Sequence, residues 1–248
     1  MEALSQAQSS YSESALACLG RPLVIADAAH SLGAERGGKR SGNIADLTAF
    51  SFHAVKNLTT GEGGAITWRR DLVGDPQAFR RDLQVHSLHG QTKDAREKNQ
   101  AGQWEYDIVA PGYKANLPDV LAALGLSQLE RYENTVQARL ETIGLYEELL
   151  GEDFRVLSHR GRDFTSSGHL AVIALPSVGV SGRDRIIRAL AELGVAANVH
   201  YKPLPMLTAY KDLGFSIEDF PNAKSSYERE LTLPLFNGIS AEQVRHVA

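Results

Sequence analysis

Two short clusters in this sequence carry side chains able to do covalent chemistry: Asp27-Ala28-Ala29-His30 and Ser51-Phe52-His53-Ala54-Val55-Lys56-Asn57. A lysine amine condenses with an aldehyde to an imine and afterwards moves protons. A carboxylate set against a pyridine nitrogen keeps that nitrogen protonated and the ring an electron sink. Lys56 and Asp27 are the candidates for these roles, which together are what pyridoxal 5'-phosphate (PLP) asks of a protein. His30, three residues after Asp27, suits contact with the ring or its phenolic oxygen if the chain turns there, and Ser51 could donate to the cofactor phosphate. Singly, each has a plainer reading: Asp27 as a cap or turn residue, His30 and His53 as packing groups, Ser51 bonded to backbone, Lys56 as a solvated charge. The combination is what points to chemistry.

For these groups to share a crevice they must stand at the carboxyl ends of neighbouring strands, where open α/β sheets bind ligands. Leu23-Val24-Ile25-Ala26 is a uniformly apolar run that reads as a strand buried on both faces of a parallel sheet, ending on Asp27. Residues 47–52 read as a second strand and 65–68 as a third, with Thr60-Gly61-Glu62-Gly63-Gly64 turning the chain between them. A helix is expected over 3–19, stopped by Gly20 ahead of Pro22, and an amphipathic helix over 69–88. The segment 91–111 is polar and irregular, of a length that goes with function. Residues 117–150 read as long helix, with Gly125 and Gly144 as its breaks or close-packing points. Beyond it, 169–175 reads as a strand, 183–193 as a helix stopped by Gly194, and 196–201 as another strand. Residues 240–248 look like the start of a helix cut short. Helices and strands alternate, so the class is α/β, divided into a large-domain portion over 1–138 and a small α+β domain over 139–248.

Composition narrows the partners. The 248 residues are 43% hydrophobic, enough for one sizeable core or two modest ones. A net charge of -4 from 26 basic and 30 acidic residues offers no field of one sign for a nucleic-acid backbone or an anionic membrane. No apolar run approaches the ~20 residues that span a bilayer, and the first residues lack a basic stretch followed by an apolar one. Cys18, the lone cysteine, rules out an intrachain disulfide and fits a reducing compartment, so the cytoplasm is the expected address. No metal site is expected.

Over nearly its whole length the sequence resembles the DegT/DnrJ/StrS group of sugar-nucleotide aminotransferases, within the fold-type I PLP enzymes. Residues 25–34 resemble the family's segment around the pyridine-binding Asp, and 49–64 its lysine segment. Residues 112–119 with 122–129 resemble its dimer-contact loop and long helix, and 199–203 and 231–235 two motifs of its small domain. The resemblance implies that Lys56 holds PLP as an imine, Asp27 pairs with the pyridine nitrogen, His30 contacts the ring and Ser51 binds the phosphate. Asn116 matches the residue that reaches the phosphate of the neighbouring subunit's cofactor, which implies a homodimer with shared sites. His200 and Tyr201 match positions near the substrate entrance. His30 stands where the family commonly has glutamine, and Ala115 where it has tyrosine. The N-terminal part of the family's large domain has no counterpart in this sequence.

The reaction implied is transfer of an amino group from glutamate, by way of pyridoxamine 5'-phosphate and with release of 2-oxoglutarate, to a nucleotide-linked keto sugar. Tyr106-Asp107-Ile108 followed by Gly112-Tyr113-Lys114 leans towards C4 of a UDP-linked 4-keto sugar, in the service of cell-surface polysaccharide. Three other readings compete: a relative dehydrating C3 of a sugar, which Lys56 argues against because a histidine stands there in such relatives; a non-catalytic module of the same fold; and a metal hydrolase built on Asp27, His30 and His53, which leaves the glycine-rich segments unexplained.

Overall fold

The computed structural model describes residues 20–93, 102, 104–176 and 178–248. The helix expected over 3–19, with Cys18, and residues 94–101 and 103 of the polar segment lie outside them. The chain divides into two compact units. The first runs to Leu32 and resumes over Lys39–Glu130, and the second takes Gly33–Gly38 and Arg131–Ala248.

In chain order the first strands are β1 (Ile25–Asp27), the two-residue β2 (Glu35–Arg36) and β3 (Lys39–Arg40), β4 (Leu47–Ser51) and β5 (Gly64–Trp68). The first unit is built on the sheet β1-β4-β5, in which β1 runs parallel to β4 and β5 antiparallel to it. Strand alternation sets the faces. Thr48 and Phe50 turn to the buried face, at 1% and 8% exposure, under a loop that packs Gly42 on Phe50. A side chain at Gly42 would stand 3.1 Å from the Phe50 ring, and its φ of +98° is one that only glycine takes easily. Asp27, Ala49 and Ser51 share the other face. The expectation that the first strand is buried on both faces fails, since Val24 is 41% and Ile25 63% exposed. The outer edge of β1 pairs with no strand among the described residues, and parallel strands are buried only where neighbours and helices cover them.

Helix α1 (Pro76–Ser87) starts seven residues later than the expected 69. The Asp75 carboxylate caps it by accepting from the amides of Gln77 and Ala78, and Pro76 is preset for a first turn but not for a helix interior. The long helix expected over 117–150 is two helices, α2 (Asp119–Leu129) and α3 (Tyr132–Leu150). Gly125 and Gly144 continue inside them. The break comes at Arg131, whose φ of -113° and ψ of 10° leave the helical region.

In the second unit, β6 (Arg155–Val156), β7 (Phe164–Thr165) and β8 (Ala171–Ala174) precede α4 (Gly179–Glu192), the short α5 (Thr208–Lys211), α6 (Pro221–Arg229), β9 (Glu230–Leu233) and α7 (Ala241–Val247). Antiparallel β6-β8-β9 closes over a core of Leu140, Ile143 and Tyr146 from α3, Ile173, Leu231, Leu233 and Val244. Tyr146 is fully buried and donates to Pro234 O at 2.8 Å, and burial pushes its phenol up to about 12. The strand expected over 196–201 reduces to one bridged residue, Asn198 opposite Thr232. The Asn198 side chain takes the Val199 amide at 2.7 Å, which removes that donor from a ladder. Residues 241–247 are helical as expected, started by a capping box between Ser240 and Gln243.

Candidate active site

The parallel register pairs Asp27 with Ala49, so Asp27 and Ser51 leave the same end of β1 and β4 on the same face. A carboxylate outside both strands holds that register. Asp46, 2% exposed, accepts from Arg21 Nη1 at 2.5 Å and Nη2 at 2.6 Å and from the Val24 amide at 2.9 Å, while the Leu47 amide donates to Val24 O at 3.2 Å. Residues just ahead of both strands are thereby tied to one another. The Arg21 hydrogen bonds, with the Val24 amide and the Arg69 charge behind them, hold the Asp46 carboxyl at about 2 against the opposing cost of desolvation. A slip of one residue would carry Asp27 to the opposite face. Sequence reasoning missed Asp46 and Arg21; an aspartate placed directly before a strand was the available signal.

After β1 the chain turns at once. The Ala28 amide continues the ladder to Ala49 O at 2.9 Å, the Ser31 amide closes on Ala28 O at 3.0 Å, and Asp27 Oδ1 accepts from the Ala29 amide at 3.1 Å. The turn carries a half-buried His30 beside Asp27 in the chain. After β4, Ser51 Oγ accepts from the His53 amide at 3.3 Å and the Lys56 amide bonds back to His53 O at 2.9 Å, so Lys56 sits in a tight turn just beyond the strand end. Lys56 is half-buried between exposed Val55 and buried Leu58. The chain then returns: Phe52 O accepts both the Thr60 amide at 2.9 Å and Thr59 Oγ1 at 3.1 Å, and Gly63 O accepts the Phe52 amide at 2.8 Å. A side chain at Gly63 would stand 2.6 Å from Thr60 Oγ1, which is why the return needs glycine there. The turn closes with His53 Nε2 3.7 Å from Glu62 Oε1.

Asn116 lies in the extended approach to α2 and lines an open cavity of about 800 Å³ with Ala49, Glu62, Gly64, Ile66 and Arg80. Its Oδ1 accepts from Lys114 Nζ. His200 and Tyr201 belong to the second unit, where His200 Nδ1 lies 3.0 Å from Thr232 Oγ1 and the two rings meet edge to face at 4.7 Å. Asp27, His30 and His53 form no group able to hold a metal ion, and no helix among the described residues is long and apolar enough to cross a membrane. The donor set fits PLP in kind: an acid for a ring nitrogen, an imidazole, a hydroxyl for a phosphate and a primary amine, issuing from one end of two paired strands.

Comparison with known proteins places this arrangement. The model of the DegT/DnrJ/EryC1/StrS aminotransferase family matches residues 19–248. The chain belongs to the DegT/DnrJ/EryC1/StrS aminotransferase family. Spr1654 of Streptococcus pneumoniae, assigned as a sugar aminotransferase and solved in its PMP form, superposes with a TM-score of 0.92 at 42% identity, over 99% of this chain and 62% of that one. The spore coat polysaccharide biosynthesis protein SpsC of Bacillus subtilis is 35% identical over 232 residues, 90% of this chain and 57% of its own length. A UDP-4-amino-4,6-dideoxy-N-acetyl-beta-L-altrosamine transaminase of Campylobacter jejuni is 31% identical over 225 residues, 90% of this chain and 56% of its own. The chain thus spans a little over half the length of the curated relatives it matches. These likenesses show the fold to be that of the fold-type I PLP aminotransferases.

Proposed function

We propose that this protein uses PLP to move an amino group from glutamate to a nucleotide-linked keto sugar, at C4 of a UDP-linked 4-keto sugar. The observation that carries the reading is the common strand end shared by Asp27, Ser51 and the Lys56 turn, set by the β1-β4 register. The sugar-directed names of SpsC and the Campylobacter transaminase support the substrate class, and the PLP and PMP forms of Spr1654 support the cofactor. When bound, PLP supplies the electron sink that lets an amino group pass between an amino acid and a ketone. Lys56 Nζ would hold the cofactor by its aldehyde carbon and, once released, would move the proton at the donor carbon. Asp27 would hold the proton on the pyridine nitrogen, His30 would contact the ring and Ser51 would donate to the phosphate.

In this reading residues 1–138 belong to the cofactor-binding domain and 139–248 to the small domain, whose His200 and Tyr201 match positions near the substrate entrance. Asn116 serves the neighbouring subunit's phosphate, so a homodimer completes each site. The exposure of Tyr113 at 82%, Val120 at 75% and Leu126 at 64%, on α2 and its approach, supports a partner there. The test is an absorbance spectrum of the purified protein with added PLP before and after borohydride, followed by peptide mapping. A band that reduction removes and that maps to Lys56 is expected, and Lys56→Ala should lower transamination by at least about a thousandfold. Reduction fixing the cofactor to another lysine, or full activity in Lys56→Ala, would refute the assignment.

A further inference from the structure

We infer that Gln128 is a positioning residue for Lys56: its side-chain amide clamps the backbone of the lysine turn and thereby presents the amine. The inference rests on the role given to Lys56 above. Gln128 lies in the last turn of α2, and its Nε2 donates to Thr59 O at 2.6 Å while its Oε1 accepts from the Thr59 amide at 3.1 Å. One side chain thus satisfies both backbone groups of one residue, as a neighbouring strand would. Nε2 also donates to Leu124 O at 3.0 Å, one turn back along the helix, so the amide plane is anchored before the loop meets it. One turn earlier, Gly125 leaves room for Thr60: a side chain there would stand 3.0 Å from the Thr60 methyl. Leu58 and Thr60, on either side of the clamped residue, are 3% and 2% exposed.

The clamp matters because of what lies between the fixed points. Phe52 is held to Gly63 and accepts from Thr59 and Thr60, so the turn over residues 53–58 that carries Lys56 runs between two backbone posts, Phe52 and Thr59. Thr59 is the downstream post of that span, three residues from the amine. Its bonds inside the loop, from Oγ1 to Phe52 O and from the Gly61 amide to Oγ1, use the side chain. Its backbone is held from outside by Gln128. Without the amide, the post can rock about its side chain and the tip that carries Lys56 moves with it. Held, the turn offers the amine in one place, and no ordering is needed when an aldehyde arrives.

The experiment uses two substitutions and a control on the same helix. Gln128→Leu removes the clamp and keeps the bulk. Gln128→Glu accepts from the Thr59 amide but can donate to Thr59 O only when protonated. Ser127→Ala, which removes a hydroxyl that donates to Leu124 O of its own helix, controls for general loosening of α2. Amide hydrogen exchange over residues 53–62, with α3 as the internal reference, should be about ten- to thirtyfold faster in Gln128→Leu. In Gln128→Glu it should match wild type at low pH and lie between wild type and Gln128→Leu at neutral pH, each compared with wild type at the same pH. Imine formation at Lys56 with added PLP should slow at least tenfold in Gln128→Leu and stay unchanged in Ser127→Ala. Unchanged exchange over 53–62 in Gln128→Leu, or faster exchange over the loop and α3 alike, would overturn the inference. Faster loop exchange with an unchanged imine rate would reduce Gln128 to a structural residue and also overturn it. A wild-type protein that forms no imine at Lys56 is a failure of the proposed function instead, and the clamp is then decided by loop exchange together with the acetylation rate of Lys56, which the clamp requires to change in Gln128→Leu relative to Lys114.

Discussion

Thr48 occupies the middle of the strand that leads to Lys56, is 1% exposed, and its hydroxyl has no hydrogen-bond partner among the described residues. Taking a hydroxyl out of water without a partner costs roughly 1–3 kcal/mol, and valine has the same shape without that group. Thr48→Val is therefore expected to raise stability by about 1 kcal/mol, seen as a thermal midpoint about 2–4 °C higher. A fall of similar size would show that the hydroxyl bonds in the folded protein. At this scale the sequence was legible where chemistry demands a rare combination: an acid, an imidazole, a hydroxyl and an amine at two predicted strand ends. It was silent on Thr48, because nothing in a residue's type says which face of a pleated strand is covered.

Between elements, the Asp46 bridge sets the register on which the site depends, and it has a pH signature. The carboxyl sits at about 2 in the folded protein against an ordinary 3.8, chiefly because Arg21 hydrogen-bonds to it. A group depressed in the folded state adds stability that is fully present above its unfolded value and is lost as pH falls from about 4 through about 2. Arg21 is 38% exposed, so solvent trims the effect to about 1–2 kcal/mol. Asp46→Asn should lower stability by about 2–3 kcal/mol at pH 7 and flatten the decline between pH 4 and 2, measured by urea unfolding across that range. An unchanged slope would place the acid sensitivity elsewhere. Element identity was mostly readable from apolar period and caps, as in the strands 47–52 and 65–68 and the helix begun at Ser240. Element limits were not: Arg131 breaks a helix that two glycines leave intact, and 196–201 pairs at a single residue.

At the scale of the whole molecule, the proposed reading has one subunit's Asn116 complete the site of the other's Lys56, and activity is then a property of the dimer. Lys56→Ala and Asn116→Ala homodimers should each be impaired, while an equimolar mixture, after subunit exchange, should recover about a quarter of wild-type turnover. Half of the dimers are then mixed, and each of those holds one intact site out of two. No recovery after proven exchange would show that both residues act within one subunit, or that Asn116 does not act at all.

The family, the α/β class and the candidate roles of Asp27, His30, Ser51 and Lys56 were open to the sequence alone, since reactive groups and strand periods are written locally. The tertiary structure alone decided that Asp46 ties the two strands, that Thr48 is shut away with no partner for its hydroxyl among the described residues, and that Gln128 reaches 69 positions back along the chain to hold Thr59. Those are relations between residues far apart in sequence, created when hydrophobic burial brings distant segments together and their leftover polar groups must find partners. No local pattern of residue types encodes which distant partner that will be.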